Sequence, residues 1–89
     1  MPPEPRNPSD DPTRIAHLLN HIRMHAGATE MSLAHTTGVE LGYIHDVLAG
    51  RRFPTRSFTH RYARACGADP QVLLMVWQDE RARRQRPRP

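Results

Sequence analysis

Between Glu30 and Ala49 the chain reads EMSLAHTTGVELGYIHDVLA, a spacing of apolar and glycine positions that implies two short helices joined by a tight turn. Leu33 is the apolar anchor of the first helix, and Ala34 beside it is small enough for another helix to cross close by. Gly38 falls where the chain must turn sharply, a position suited to a residue that tolerates positive φ. Val39, Ile44 and Val47 then supply the buried contacts of the turn and of the second helix. The consequence is one helix braced so that the next stands out from the surface.

Three more helices flank this unit. Upstream, Asp10-Asp11-Pro12 is an acid-plus-proline start, and the stripe Ile15, Leu19, Ile22, Ala26, with Leu18 beside it, runs to a stop at Gly27. Thr29 caps the first helix of the central pair, and Gly50 stops the second after Ala49. Downstream, Thr55 caps a helix in which Phe58, Tyr62 and Ala65 face inward, ending at Gly67. Asp69-Pro70 opens the last helix, with Leu73, Val76 and Trp77 as its inner stripe. No segment alternates with period two for more than a few residues, so no strand is expected.

The 89-residue length points to one domain. Residues 1–12 carry five prolines and a single apolar side chain, Met1, while residues 81–89 carry five arginines and two prolines. The expected organisation is a disordered arm over 1–11, a helical domain over 12–80 and a basic disordered tail over 81–89. A core of roughly 70 residues is near the lower limit for folding without staples and leaves little room for a deep catalytic cleft. Net charge is +4, and all 13 basic residues are arginine. That composition suits a polyanionic partner, because the guanidinium fork matches phosphate geometry; a GC-rich genome yields the same bias for reasons unrelated to function. One cysteine excludes an intrachain disulfide. With no apolar N-terminal run and no stretch of membrane-spanning length, a cytoplasmic protein is expected.

In order and spacing, Leu33-Ala34, Gly38-Val39, Ile44, Val47 and Gly50 resemble the motif of the lambda-repressor-like (Cro/C1-type, XRE family) helix-turn-helix proteins. Leu19, Ile22, Arg23 and Gly27 match their first helix and its stop. RYARACGADP, residues 61–70, and Trp77 look like variants common in actinobacteria. The resemblance covers about residues 13–78. It implies a compact five-helix, all-α DNA-binding domain whose second motif helix enters the major groove of double-stranded DNA.

Carried over position by position, the resemblance puts Leu41, Gly42, Tyr43, His45 and Asp46 at base edges, with Thr29 and Glu30 beside the duplex. This set departs from the family pattern, which offers Gln, Ser, Asn, Arg or Lys for bidentate reading. Glu30, Glu40 and Asp46 would oppose phosphates unless they accept from a cytosine amino group. Arg51, Arg52 and Arg56, with Arg23 from the first helix, are the expected phosphate contacts; the plainer account of the loop is an ordinary solvated connection. The tail arginines Arg81, Arg83, Arg84, Arg86 and Arg88 would add non-specific attraction, or simply solubilise a disordered end.

Other constellations carry less. His17, His21 and His25 share one stripe of the first helix, where a solvated face is the simpler account than a metal site. Cys66 reads as a small buried residue rather than a reactive thiol. No nucleophile–base pair, glycine-rich phosphate loop or paired carboxylate suggests catalysis, a cofactor or a small-molecule substrate. The last helix is broadly apolar, so Leu74, Met75 and Trp77 form a candidate surface for a homodimer or a partner protein. The alternative to DNA binding is accordingly a protein–protein interaction module on the same fold.

Overall fold

Each helix begins and ends where local chemistry stops it. The computed structural model describes residues 14–85, and among them five helices follow one another without a strand: α1 Arg14–Ala26, α2 Glu30–Thr37, α3 Leu41–Leu48, α4 Arg56–Ala65 and α5 Pro70–Gln85. The expected arm over 1–11 and the Asp10-Asp11-Pro12 start lie outside the described residues. Thr29 caps α2 through a reciprocal box in which its hydroxyl accepts from the Ser32 amide and Ser32 Oγ accepts from the Thr29 amide. Thr55 Oγ1 accepts from the Phe58 amide at the start of α4, and Asp69 Oδ1 from the Gln71 amide at the start of α5. The first turn of α1 is served from across the molecule, where the Ile15 amide donates to Glu80 Oε1 of α5.

The inner faces meet in one core of Ile15, Leu19, Leu33, Ala34, Ile44, Val47, Leu48, Phe58, Tyr62, Ala63, Leu73 and Trp77. Tyr62 sits at its centre, fully buried, and donates its hydroxyl proton to the Leu19 carbonyl at 2.7 Å. Burial pushes the ionisation of this phenol well above the ordinary tyrosine range. Thr37 and Thr59 are also buried, and each bonds back to its own helix, at Leu33 O and Thr55 O. That bond is what permits a hydroxyl inside the core.

Three expectations are corrected. Ala65 and Ala26 are exposed rather than inward; in α4 the buried stripe runs through Phe58, Thr59, Tyr62 and Ala63. Trp77, offered above for a partner surface, is 5% exposed. Its indole N–H donates to Pro54 O at 2.8 Å and its ring stacks on Phe53, so it belongs to the inner stripe alone. The boundary at residue 81 also moves: α5 continues through Gln85 and carries Arg81, Arg83 and Arg84 as helix. Arginine and alanine are good helix formers, and aromatic contacts described below hold this last turn.

Gly38 ends α2 at φ 74°, with its amide bonded to Ala34 O. A Cβ here meets nothing closer than Arg61 Nη1 at 3.6 Å, so the obstacle to a side chain is the backbone conformation and not space. Gly42, in the first turn of α3, also has open space around a Cβ but no positive φ. The same substitution is therefore expected to act in opposite directions. Gly38→Ala should destabilise by about 1–2 kcal/mol, and Gly42→Ala should stabilise by up to about 1 kcal/mol, as read from urea unfolding midpoints.

Candidate nucleic-acid interface

An outward face on α3 depends on what holds its inward one. Ile44, Val47 and Leu48 are buried against α1 and α2. Two polar ties fix the ends of the helix. At its C-terminal end, Asn20 of α1 donates its side-chain amide to the Leu48 carbonyl at 2.9 Å. At its N-terminal end, the Tyr43 hydroxyl accepts from the Thr55 amide at 3.0 Å, and the Tyr43 ring meets Phe58 edge-on at 5.1 Å. Leu41, Gly42, His45 and Ala49 are left exposed along the other side, with Asp46 half-buried next to them.

The anticipated base-edge residues thus divide. Leu41, Gly42, His45 and Asp46 share the free stripe of α3, whereas Tyr43 is half-buried and turned toward α4. Thr29 is exposed at the start of α2, but its hydroxyl is engaged in the capping box. Two of the three carboxylates that looked adverse to phosphates have cationic or ionisable neighbours. Asp46 Oδ1 receives the Arg51 guanidinium at 3.1 and 3.3 Å, and Glu30 Oε1 lies 3.4 Å from His45 Nδ1. Both pairs are solvent-exposed, so they shape local charge more than they stabilise the fold. Glu40, the N-cap of α3, makes no side-chain cap bond and is exposed.

The expected phosphate contacts also divide. Arg52 and Arg56 are exposed, and the Arg52 guanidinium lies 5.3 Å from the Tyr43 ring centroid. Arg51 is exposed but shared with Asp46. Arg23 is different: it is half-buried, and its Nη1 donates to Ala28 O at 3.1 Å, bracing the turn after α1. It is accordingly a structural residue of that turn. Cys66 is half-buried, and burial pushes its thiol up despite the opposing pull of Arg23, so it remains protonated near neutral pH. His17, His21 and His25 are exposed on α1, the last two with rings stacked 6.4 Å apart. No helix among the described residues is long and apolar enough to cross a membrane.

The sequence reading missed Asn20 and the bond from Thr55 to Tyr43. A polar residue beside the apolar stripe of α1 was the available signal for the first. The second depends on a ring orientation that no spacing encodes.

Two buried-face helices crossing at a glycine turn, the second with a free outer stripe, define a helix-turn-helix unit. A family profile, the helix-turn-helix domain, matches residues 14–74, and the chain belongs to that family. Its five-helix arrangement is lambda-repressor-like. Among solved structures it is similar to the clp gene regulator ClgR from Corynebacterium glutamicum, at 23% identity and TM-score 0.64 over 79% of this chain and 74% of that one. It is similar also to a hypothetical transcription factor, NHTF, from Neisseria, at 24% identity and TM-score 0.64 over 83% of this chain and 85% of that one. At these identities the likeness is one of fold. No match is found among curated proteins.

Removing the Tyr43 hydroxyl isolates its role as a strut. Tyr43→Phe should cost about 0.5–1.5 kcal/mol of stability and accelerate hydrogen exchange of the Thr55 amide. Unchanged exchange at Thr55 would count against the strut.

Proposed function

We propose that this chain is a sequence-specific DNA-binding regulator of transcription that lays α3 in the major groove. The observation that carries the reading is the asymmetry of α3: its inner stripe is buried while Leu41, Gly42 and His45 stand exposed, with arginines following directly in the loop. Leu41 offers an apolar surface to a thymine methyl. Gly42 lets the backbone approach closely. If the Nδ1 of His45 carries the proton facing Glu30, its Nε2 is left as an acceptor for the exocyclic amino group of adenine or cytosine. Asp46 has one carboxylate oxygen engaged with Arg51, and its other oxygen is a second acceptor of the same kind. Arg52 and Arg56 hold backbone phosphates, and Arg51 joins them when Asp46 releases it. The pairing of Asp46 with Arg51 offsets one of the acidic charges on the recognition face.

A second use of the fold is favoured by one observation. Val72 and Met75 are 56% and 69% exposed on α5, a surface that suits a second copy or another protein, with half-buried Leu74 between them in sequence. Amide-shift titration separates the two uses. Mixed-sequence duplex should move residues 29–56, whereas a protein-interaction module should leave these unmoved and respond at residues 70–80 to a partner.

The phosphate role has its own measurement. Changing Arg52 and Arg56 together to Ala should weaken binding to every duplex. It should also flatten the dependence of log affinity on log salt by roughly 0.9 per lost contact, about 2 in all. An unchanged slope would remove both residues from the interface.

A further inference from the structure

The arginines at the end of α5 are not loose. Arg84 places its guanidinium carbon 4.8 Å from the Phe53 ring centroid, and Arg81 places its own 5.3 Å from that of Trp77. Phe53 and Trp77 stack on each other at 5.8 Å, so the two guanidiniums border one aromatic pair. Phe53 is the immediate neighbour of Arg52 in the loop that leaves α3. Arg52 rests on Tyr43 in the same manner. The helix end therefore adds two cations to the loop already assigned to phosphate contact.

Neither Arg81 nor Arg84 forms an ion pair with a carboxylate among the described residues. Asp79 is bonded to Arg83, Glu80 accepts from the Ile15 amide, and Asp46 holds Arg51. Arg81 and Arg84 are both exposed. A guanidinium laid on an aromatic ring uses its face there and keeps its in-plane N–H donors for a second partner. Those donors suit the paired oxygens of a phosphate.

We propose that Arg81 and Arg84 form, with Arg52, a continuous phosphate-binding edge that grips the backbone of the same duplex α3 enters. The proposal rests on the DNA reading above. It gives the end of α5 a binding role beyond the two-helix motif, and it fixes α5 in register with the loop through the Phe53–Trp77 stack.

The test is a salt series on the full chain with a fluorescent mixed-sequence duplex, between about 50 and 200 mM, where phosphate contacts dominate the change in affinity. Arg81→Gln with Arg84→Gln should lower the magnitude of the salt slope by about 2 and weaken binding at the low-salt end by at least tenfold. Arg81→Lys with Arg84→Lys should retain most of the slope. Arg83→Gln, which removes a cation already paired with Asp79, should leave it unchanged. In the unsubstituted protein, the Arg84 Nε–H resonance should shift on titration with duplex, a readout that does not depend on a variant folding correctly.

A slope untouched by the double Gln substitution, together with an unmoved Arg84 resonance, would overturn the proposal while leaving the α3 reading intact, provided Arg52→Ala with Arg56→Ala still flattens the slope. If the parent protein shows no salt-dependent duplex binding, both readings fall together. Capture of the protein by anionic phosphatidylglycerol vesicles through Arg81 and Arg84, with the duplex slope unaffected, would assign the edge to lipid headgroups and also overturn it.

Discussion

An eight-residue helix does not persist in water by itself, because nucleation is costly and too few hydrogen bonds follow it. The outward presentation of α3 depends on the burial of Ile44, Val47 and Leu48 beneath it. Every other element contributes to that burial directly or at one remove. α1 and α2 form the floor, α4 fills the centre with Phe58 and Tyr62, and α5 closes the far side with Leu73 and Trp77. Asn20 and Tyr43 add direction, since apolar contact alone leaves a short helix free to roll or slide. Removing side-chain volume beneath α3 would therefore threaten the whole fold along with the position of its outer stripe, because a cavity in a small core costs a large part of a marginal total.

The outer face is unusual in its charge. On α2 and α3, Glu30 has His45 as a neighbour and Asp46 has Arg51, while Glu40 stands exposed without a side-chain cap bond. Exposed arginines without an ion pair among the described residues include Arg52 in the loop after α3, Arg56 at the start of α4, and Arg81 and Arg84 on the last turns of α5. On the proposed reading, attraction and discrimination fall to different parts of the molecule, with arginine serving the first at the rim and a small set of acceptors and apolar groups the second at the centre. Such a division favours discrimination by fit and by acceptor pattern over the bidentate donation that Arg or Gln would supply.

Much of this architecture was legible in the sequence because its signals are redundant. At Gly27, Gly38, Gly50 and Gly67 a turn coincides with the end of an apolar stripe, and Thr29, Thr55 and Asp69 mark the starts that follow. Alanine is where the reading slipped: it is small enough to suit either side of a helix, so Ala63 and Ala65 could not be told apart by hydropathy. The last turns of α5 were misread for another reason. No apolar stripe extends past Trp77, and what orders Arg81 and Arg84 is stacking on rings that only the tertiary fold brings to them. The candidate site was legible as a segment and not as a set of directions. Arg23 and Tyr43 look like exposed contacts in the sequence, but one braces a turn and the other props α4, because each finds a backbone partner within reach.

The burial of Trp77 beneath the loop after α3 has an optical consequence. It is the chain's sole indole, held by Pro54 O and sandwiched near Phe53 with a guanidinium above. Its emission colour and quenching are set by whether that loop stays seated. The native chain thus carries an intrinsic gauge of loop displacement close to the proposed phosphate contact at Arg52, readable by fluorescence without any attached dye.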